Sequence, residues 1–336
     1  MSKLEAEAPS ADVLSQWRRF HHQMLRIRLF EEAATRGMHN KLVLGAVHPS
    51  IGQEAVAVGV CARLRTSDIL LSTHRGHGHT LAKGAQVLPM MLELFGKQGG
   101  YCGGKGGSMH IADFAVGMPG ANGVVGANIV IAVGAAHAIK LRKSKEIVTC
   151  FFGDGAINRG PFLEGLNWAR VFNLPVLFVC EDNSYSATTR THTMTAGAGA
   201  SARAASMDLP ALEVDGNDVV AVDQAAGRWV DEIRSGGGPR FLHARTYRLT
   251  GHTASDAAAY RLQSEVDERR EGEPIGRLEA RLLAAGVSAQ ELAKVADGLR
   301  AEIDEAYRQA KAAPYPEIAA AYRDVQDIGD PSLEAF

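Results

Sequence analysis

Two continuously apolar segments, separated by an amphipathic one, constrain the fold of this chain most. Residues 145–152 are rich in β-branched and aromatic side chains and are followed by Gly-Asp-Gly at 153–155. Residues 176–180 form a second apolar run that is followed by Glu-Asp-Asn at 181–183, and residues 160–171 between them have helical spacing. A strand, a helix and a second strand predict a βαβ unit with parallel strands buried on both faces. The predicted class is therefore α/β, with a parallel sheet flanked by helices.

The flanking segments predict more helices and further strands of the same sheet. Predicted helices span residues 12–37, 53–64 and 128–141, and predicted strands span residues 68–72, 211–214 and 241–244. The tail from Tyr260 is charged and helical, and residues 288–291 (SAQE) form a capping-box sequence ahead of an apolar stripe. Because there is no repeat or low-complexity linker, we expect an N-terminal helical arm (1–45), one α/β domain (46–260) and its C-terminal helical extension (261–336).

Composition and charge exclude several classes of function. The chain has 336 residues, of which 36 are Lys or Arg and 38 are Asp or Glu, with both signs mixed along its length. No basic patch indicates a nucleic-acid partner, and the longest apolar stretch, residues 129–139, is too short to span a membrane. Cys61, Cys102, Cys150 and Cys180 have no metal-binding spacing, and the polar N-terminus has no signal-peptide core. We therefore expect reduced thiols in a cytoplasmic protein.

Polar residues follow both strands of the βαβ unit. In a parallel sheet, ligands bind beyond the carboxyl ends of the strands, so Asp154 and Asn183 are expected to converge. Carboxylate and amide oxygens suit a hard divalent cation that keeps its other positions for phosphate. The glycines beside Asp154 allow close approach of a diphosphate, to which the N–H groups of Gly155 and Ala156 can donate. Gly-Asp-Gly alone is also an ordinary turn, but in this context the residues predict a metal–diphosphate site.

Five motifs occur in a specific order along the chain. They are IGQEA at 51–55, RGHG at 75–78, GGSMH at 106–110, GDGAIN at 153–158 and TYRLTGH at 246–252. Together with Asn183, this order resembles the alpha subunits of thiamine-diphosphate-dependent E1 dehydrogenases, which belong to pyruvate, branched-chain 2-oxoacid and acetoin dehydrogenase complexes. The resemblance runs from about residue 28 to residue 261. It implies an enzyme subunit with thiamine diphosphate and Mg²⁺, built on the diphosphate-binding half of the thiamine-diphosphate-binding fold.

The same resemblance implies roles for individual residues. Asp154, Asn183 and the backbone oxygen of Tyr185 would bind Mg²⁺. The cofactor-binding residues would be His74, Arg75, Gly123, Val125, Gly153, Gly155, Ala156, Asn183 and His252. His110, at the end of a glycine-dense loop, and His252 would be catalytic, because they would stabilise or relay charge while the acyl group moves to lipoamide.

The resemblance also implies partners. In this family the glutamate that activates the cofactor lies on a separate beta subunit, and Glu54 is a poor candidate for that role. We expect an α2β2 assembly with the cofactor at the α/β interface, where the small side chains of residues 128–141 suit close packing. A lipoyl-bearing E2 protein would receive the acyl group.

Two positions depart from the family pattern. Asp182 stands where the first of two asparagines is usual, and His74 stands where pyruvate-type subunits carry tyrosine. Asp182 is not an expected ligand, so metal binding should survive, and His74 can still donate to phosphate. His77 and His79 have no carboxylate near them in the sequence, so a transition-metal site there is poorly supported.

Several segments indicate the substrate class. Residues 72–79, 82–84, 107–113 and 120–123 are more similar to acetoin dehydrogenase alpha subunits than to pyruvate ones. Acetoin is neutral, so its site needs no cation for a carboxylate, but it does need an acid–base group such as histidine. We expect the enzyme to cleave acetoin and to pass the acetyl unit oxidatively to lipoamide. The alternative is a pyruvate or branched-chain 2-oxoacid dehydrogenase subunit.

Three other classes stay open. A self-sufficient thiamine enzyme of the transketolase type would be active without a second chain. A nicotinamide-binding or flavodoxin-like protein is disfavoured because no Gly-x-Gly-x-x-Gly follows a strand. A non-catalytic subunit would show no Mg²⁺-dependent binding of thiamine diphosphate.

Overall fold

Six parallel strands form the central sheet of the computed structural model, which describes residues 9–323. In spatial order they are β2 (Gly120–Asn122), β1 (Ile69–Thr73), β3 (Val148–Gly153), β4 (Val176–Asp182), β8 (Arg240–Arg245) and β7 (Ala211–Asp215). A separate antiparallel hairpin consists of β5 (Tyr185–Ser186) and β6 (Thr189–Arg190). The predicted α/β class with a parallel sheet is confirmed.

Eleven α-helices accompany the strands within the described residues. They are α1 (Ala11–His39), α2 (Glu54–Cys61), α3 (His77–Ala82), α4 (Val87–Leu94), α5 (Ala127–Leu141), α6 (Gly160–Val171), α7 (Ala200–Ser206), α8 (Val219–Glu232), α9 (Gln263–Glu271), α10 (Pro274–Ala284) and α11 (Ala289–Ala312). The predicted helices correspond to α1, α2, α5, α6 and the helical tail α9–α11. Helices α3, α4, α7 and α8 and strands β2, β5 and β6 were not predicted from the sequence.

Strands β3 and β4 are buried on both faces, as their apolar sequences predict. In β3, Cys150 and Phe152 pack against α5 and α6, whereas Phe151 points to the opposite face and packs in the cluster that contains α2 and α8. Full burial of one such phenylalanine contributes about 1.5–3 kcal/mol. The sheet is therefore fixed between two helical layers, and its carboxyl edge is a rigid platform.

The N- and C-terminal helices pack together next to α2. Helix α1 contacts α2, α10 and α11, and its Met24, Ile27 and Phe30 are fully buried in this layer. The expectations for residues 1–8 and 324–336 lie outside the described residues.

Only half of the predicted capping box forms at the start of α11. The Ser288 hydroxyl accepts the N–H of Glu291 at 3.1 Å. The Glu291 carboxylate, however, accepts from Arg18 Nε at 2.7 Å, so an ion pair to α1 replaces the reciprocal bond of the box. The apolar stripe behind the cap is present, with Leu299 and Ile303 buried.

Helix α5 contains the longest apolar stretch of the sequence. Its Ile129, Ala132 and Ala136 are buried with residues of β3 and α6. Val130 and Ile131 on the other side of the helix are 38% and 48% exposed. No described helix has the length and apolarity that crossing a membrane requires.

Candidate active site

A cavity of about 240 Å³ opens at the carboxyl ends of β1, β3 and β4. Parallel pairing places Gly153 beside Glu181, so Asp154 and Asn183, which follow them, both line the cavity. A Cβ atom on Gly155 would lie 2.3 Å from the Ser186 hydroxyl oxygen. Only glycine therefore allows the turn after β3 to pack this closely against the neighbouring hairpin.

All but one of the predicted site residues line this cavity. Those that do are His74, Arg75, Gly123, Val125, Gly153, Asp154, Gly155, Ala156, Asn183, Tyr185 and His252. His110 is the exception, since it is exposed and does not line the cavity. Its ring lies beside Gly123, where an added Cβ would be 3.4 Å from His110 Cε1, and the preceding Met109 does line the cavity. His110 therefore lies at the mouth.

Asp154 is a buried carboxylate that forms no ion pair with any described residue. It is 3% exposed and accepts a hydrogen bond from the Thr191 hydroxyl. Burial raises the pKa of Asp154 against the opposing effect of that hydrogen bond, and the charge of Asp182 adds to the increase. A divalent cation beside Asp154 would supply the missing counter-charge, so this oxygen ligand fits Mg²⁺.

Hydrogen bonds hold Asn183 and Asp182 in place next to Asp154. Asn183 Nδ2 donates to Gln53 Oε1 at 3.0 Å, and Asn183 Oδ1 accepts the N–H of Tyr185 at 3.1 Å. Asp182 Oδ2 lies 2.8 Å from His243 Nε2. Although burial opposes it, this hydrogen bond lowers the pKa of Asp182. The carboxylate that departs from the family pattern is thus paired with a histidine.

Arg75 and Arg248 bring positive charge to the cavity. Their side chains are buried, and neither forms an ion pair with a carboxylate among the described residues. Arg75 donates to the backbone carbonyls of Pro49 and His252, the latter at 3.2 Å. Burial, followed by the charge of Arg248, lowers the pKa of Arg75 to about 9. Two buried guanidiniums without a counter-ion fit an anion such as a diphosphate.

Three histidines, His48, His74 and His252, meet beside these arginines. Their ring centroids are 4.6, 4.9 and 5.6 Å apart. Burial, followed by the charge of Arg75, lowers the pKa values of His48, His74 and His252 to about 3, 2 and 4. All three rings are therefore neutral near pH 7. Their nitrogens lie within 4.8 Å of one another, which would also suit a transition metal, but the adjacent guanidiniums disfavour a second cation.

The hydrogen bonds of these rings indicate which nitrogens face a ligand. His252 Nδ1 lies 3.5 Å from both Arg75 Nη2 and Arg248 Nη1, and it accepts because a guanidinium can only donate. The proton of the neutral ring is then on Nε2, which can donate to an anion. His48 Nδ1 is buried and has no hydrogen-bond partner within residues 9–323, so it too can bind a ligand group in the cavity.

The polar residues that line the cavity and were not predicted from the sequence include His48, Gln53, Glu181 and Arg248. Gln53 and Arg248 lie inside motifs that were recognised, and His48 lies just before one. Their positions in or beside these motifs could therefore have identified them as candidate site residues. Glu181 could have been found from its place at the end of an apolar strand.

His77 and His79 each lie beside a carboxylate that the sequence around them did not indicate. Glu31 Oε2 lies 2.8 Å from His77 Nδ1, and Glu181 Oε1 lies 3.2 Å from His79 Nε2. The fold brings each carboxylate from a distant part of the chain. The two histidines bind different carboxylates, and they are not part of the histidine cluster that could hold a metal.

The loop that carries His252 is held by Asp256. Its carboxylate accepts the N–H of His252 at 2.6 Å, the N–H of Ala258 at 2.8 Å and the hydroxyl of Tyr260 at 2.9 Å. The N–H of Ala254 donates to a backbone carbonyl near His48, that of Val47, at 2.8 Å. His252 is thereby directed at the two arginines of the cavity.

Residues 22–319 match the family model described as dehydrogenase E1 component. The chain therefore belongs to the dehydrogenase E1 component family, whose members are thiamine-diphosphate-dependent enzymes. The resemblance inferred from the order of the motifs is confirmed.

Individual relatives make the comparison more specific. The chain is 43% identical to the alpha subunit of acetoin:2,6-dichlorophenolindophenol oxidoreductase from Bacillus subtilis, over 91% of this chain and 92% of the relative. It is 44% identical to the protein of the same name from Cupriavidus necator, over 88% and 90%. It is 40% identical to the pyruvate dehydrogenase E1 component subunit alpha of Zymomonas mobilis, over 91% and 87%.

Proposed function

We propose that this chain is the alpha subunit of an E1 enzyme that cleaves acetoin and passes the acetyl unit oxidatively to lipoamide. The observation that carries the proposal is the charge pattern of one cavity. Asp154 is buried there without a cationic partner, and Arg75 and Arg248 are buried there without an anionic one among the described residues. A Mg²⁺–diphosphate group would neutralise both.

Within this site we assign the cofactor contacts residue by residue. Asp154, Asn183 and the backbone oxygen of Tyr185 hold Mg²⁺. Arg75, His74, His252 and the N–H groups of Gly155 and Ala156 hold the diphosphate, with Gly153 allowing its close approach and Gly123 and Val125 lining the ring end. When bound, thiamine diphosphate supplies a carbon nucleophile and an electron sink for cleavage of a bond next to a carbonyl. His110 and His252 then hold or move protons at the substrate and acyl oxygens.

A beta subunit completes the site in this proposal. Exposed apolar side chains cover adjacent parts of α5 and α6, namely Val130, Ile131, Leu141, Trp168 and Val171. The first turn of α5 lines the cavity through Asn128 and Ile129, so this apolar face is continuous with the candidate site. The relatives are named as alpha subunits, which implies a second kind of subunit. We propose an α2β2 assembly in the cytoplasm, with the activating glutamate on the beta subunit and a lipoyl-bearing E2 as acceptor.

The lining of the cavity favours a neutral substrate. Arg75 and Arg248 are its only lining cations among the described residues, and the proposed Mg²⁺–diphosphate group would neutralise both. Of the lining residues, Met109 and Gly123 lie next to His110. They offer no fixed cation for a carboxylate, whereas His110 can act as an acid–base group for the departing alcohol oxygen. Pyruvate is the second candidate, because a pyruvate dehydrogenase subunit is 40% identical to this chain.

The substrate can be tested with the chain assembled with its beta subunit, using 2,6-dichlorophenolindophenol as electron acceptor. Acetoin should give the higher kcat/KM, and the alpha chain alone should give no turnover because half of the pocket lies elsewhere. A preference for pyruvate of about tenfold, or about 1.4 kcal/mol of transition-state discrimination, would overturn the acetoin assignment. Turnover by the alpha chain alone would refute the shared site.

A further inference from the structure

The glycine-dense loop that ends at His110 encloses a buried carboxylate. Glu93, near the end of α4, is fully buried. Its Oε2 accepts the N–H groups of Cys102 and Gly104 at 2.7 and 2.9 Å, and its Oε1 accepts those of Gly106 and Gly107 at 2.7 and 3.0 Å. Glu93 forms no ion pair with any described residue, so these backbone dipoles compensate its charge.

Glycine is required for the loop to wrap around Glu93. A Cβ on Gly100 would lie 2.5 Å from Glu93 Oε2, and a Cβ on Gly104 would lie 2.7 Å from the carbonyl carbon of Gly96. Gly104 also has a φ of +77°, which L side chains rarely adopt. These glycines therefore allow the loop to adopt one closed backbone conformation around the Glu93 carboxylate.

A second buried carboxylate holds the next residue of the loop. Ser108 Oγ lies 2.9 Å from His77 Nε2, and His77 Nδ1 lies 2.8 Å from Glu31 Oε2. All three side chains are buried, so no substrate reaches the serine and the chain of bonds acts as an anchor. Met109 and His110 follow directly and are the residues that reach the cavity and its mouth.

We infer that Glu93 is a positioning residue of the active site: its hydrogen bonds to four N–H groups fix where Met109 and His110 meet the substrate. The inference rests on the proposed function, because it assumes that His110 takes part in the reaction. Glu93 itself lines no part of the cavity. Its effect should therefore fall on turnover and leave cofactor binding intact.

Glu93→Gln in the assembled αβ enzyme tests this inference. Glutamine keeps the shape but turns its NH₂ group toward N–H groups that are themselves donors, so two of the four bonds are lost. Amide hydrogen exchange in residues 102–107 should be faster by about tenfold or more. The kcat for acetoin should fall about tenfold to a hundredfold, because small displacements of a reacting group have effects of that size. The Kd for thiamine diphosphate with Mg²⁺ should change less than about twofold.

Asp68→Asn is the matched control for a general loss of stability. Asp68 is also fully buried, accepts the backbone N–H groups of Arg65 and Ile147 and pairs with Arg234. It precedes β1, at the end of the sheet opposite the cavity. This variant should be less stable while loop exchange and kcat stay unchanged. A loss of kcat equal to that of Glu93→Gln would show that stability alone explains both, and would overturn the inference.

A double substitution separates the two assumptions. If Glu93 acts through His110, the Glu93→Gln, His110→Ala enzyme should be no slower than the slower single variant. Wild-type kcat in His110→Ala would overturn the role proposed for His110. Unchanged amide exchange in Glu93→Gln, or equal losses of kcat and cofactor affinity, would overturn the role of Glu93.

Discussion

Asp154 is a residue whose charge is unfavourable for folding but suits the metal site proposed here. Its carboxylate is buried, its pKa is raised by that burial, and no described cationic side chain pairs with it. A buried carboxylate of this kind destabilises the folded chain until a cation arrives. Substitution of Asp154 should therefore affect the stability of the chain and its affinity for the cofactor differently.

Asp154→Asn should therefore separate stability from cofactor binding. Removing the unpaired charge should leave the unfolding free energy of the cofactor-free chain unchanged or raise it by about 1 kcal/mol. Mg²⁺-dependent binding of thiamine diphosphate should weaken about a hundredfold or more, since a neutral amide oxygen lacks the negative charge with which the carboxylate compensates the cation. Titration calorimetry on the αβ complex and thermal unfolding of the free chain measure the two effects. Unchanged cofactor affinity would exclude Asp154 as a metal ligand.

At the scale of elements, the loop between β8 and α9 depends on a few hydrogen bonds to Asp256. The bond to the His252 N–H fixes the backbone of His252, whose carbonyl oxygen accepts a hydrogen bond from Arg75. Loops that cover a cofactor are commonly held by bonds of this kind, which can open.

Asp256→Ala should release this loop. Proteolysis within residues 250–258 should become faster, and kcat should fall about tenfold because His252 is no longer directed at the acyl group. Limited proteolysis and steady-state rates of the assembled enzyme are the measurements. Thr253→Ala is a suitable control, because the Thr253 hydroxyl bonds only to Ser255 among the described residues. Wild-type proteolysis rates in Asp256→Ala would contradict the role given to Asp256.

Elements with a strong local pattern could be predicted from the sequence, and elements formed by tertiary contacts could not. The apolar runs of β3 and β4 sufficed to place the βαβ unit and the Asp154 and Asn183 positions. Strand β2 is three residues, Gly-Ala-Asn, without an apolar run, and it exists because it pairs with β1. Helix α8 was missed although Asp218 caps it by accepting the N–H groups of Val220 and Ala221, so that signal was present and unused.

The features of the candidate site divide in the same way, into those that the sequence indicated and those that depend on tertiary contacts. Motifs indicated the residues at strand ends, such as Asp154, because order along the chain determines their position. The neutral state of His48, His74 and His252 comes from burial and the charge of Arg75. Both depend on the packing of loops that are distant in sequence, and no local pattern encodes them.

At the scale of the whole molecule, the exposed apolar face of α5 and α6 predicts an assembly. Trp168 and Val171 of α6 are 48% and 68% exposed, and Ile131 and Leu141 of the neighbouring α5 are 48% and 74% exposed. Apolar patches of this kind on a folded chain are typical of permanent interfaces.

Trp168→Glu should prevent binding of the beta subunit while leaving the alpha chain folded. A charge on the apolar face opposes burial, and an aromatic anchor at an interface can be worth about 2 kcal/mol or more. Gel filtration of the mixed subunits and circular dichroism of the alpha chain are the measurements. Leu283→Glu, at a 46% exposed position on α10, is the control and should leave assembly intact. Normal αβ assembly with Trp168→Glu would place the interface elsewhere.

The two arginines of the cavity have a consequence for the lifetime of the chain in the cell. Arg75 and Arg248 are buried together without an ion-pair partner among the described residues, so a diphosphate bound there as proposed would complete the charge balance of the fold. A ligand that binds only the folded state stabilises it in proportion to the logarithm of its concentration. Degradation acts on unfolded chains, so the abundance of this subunit should follow the supply of thiamine. Cells short of the vitamin would then lose the protein as well as its activity.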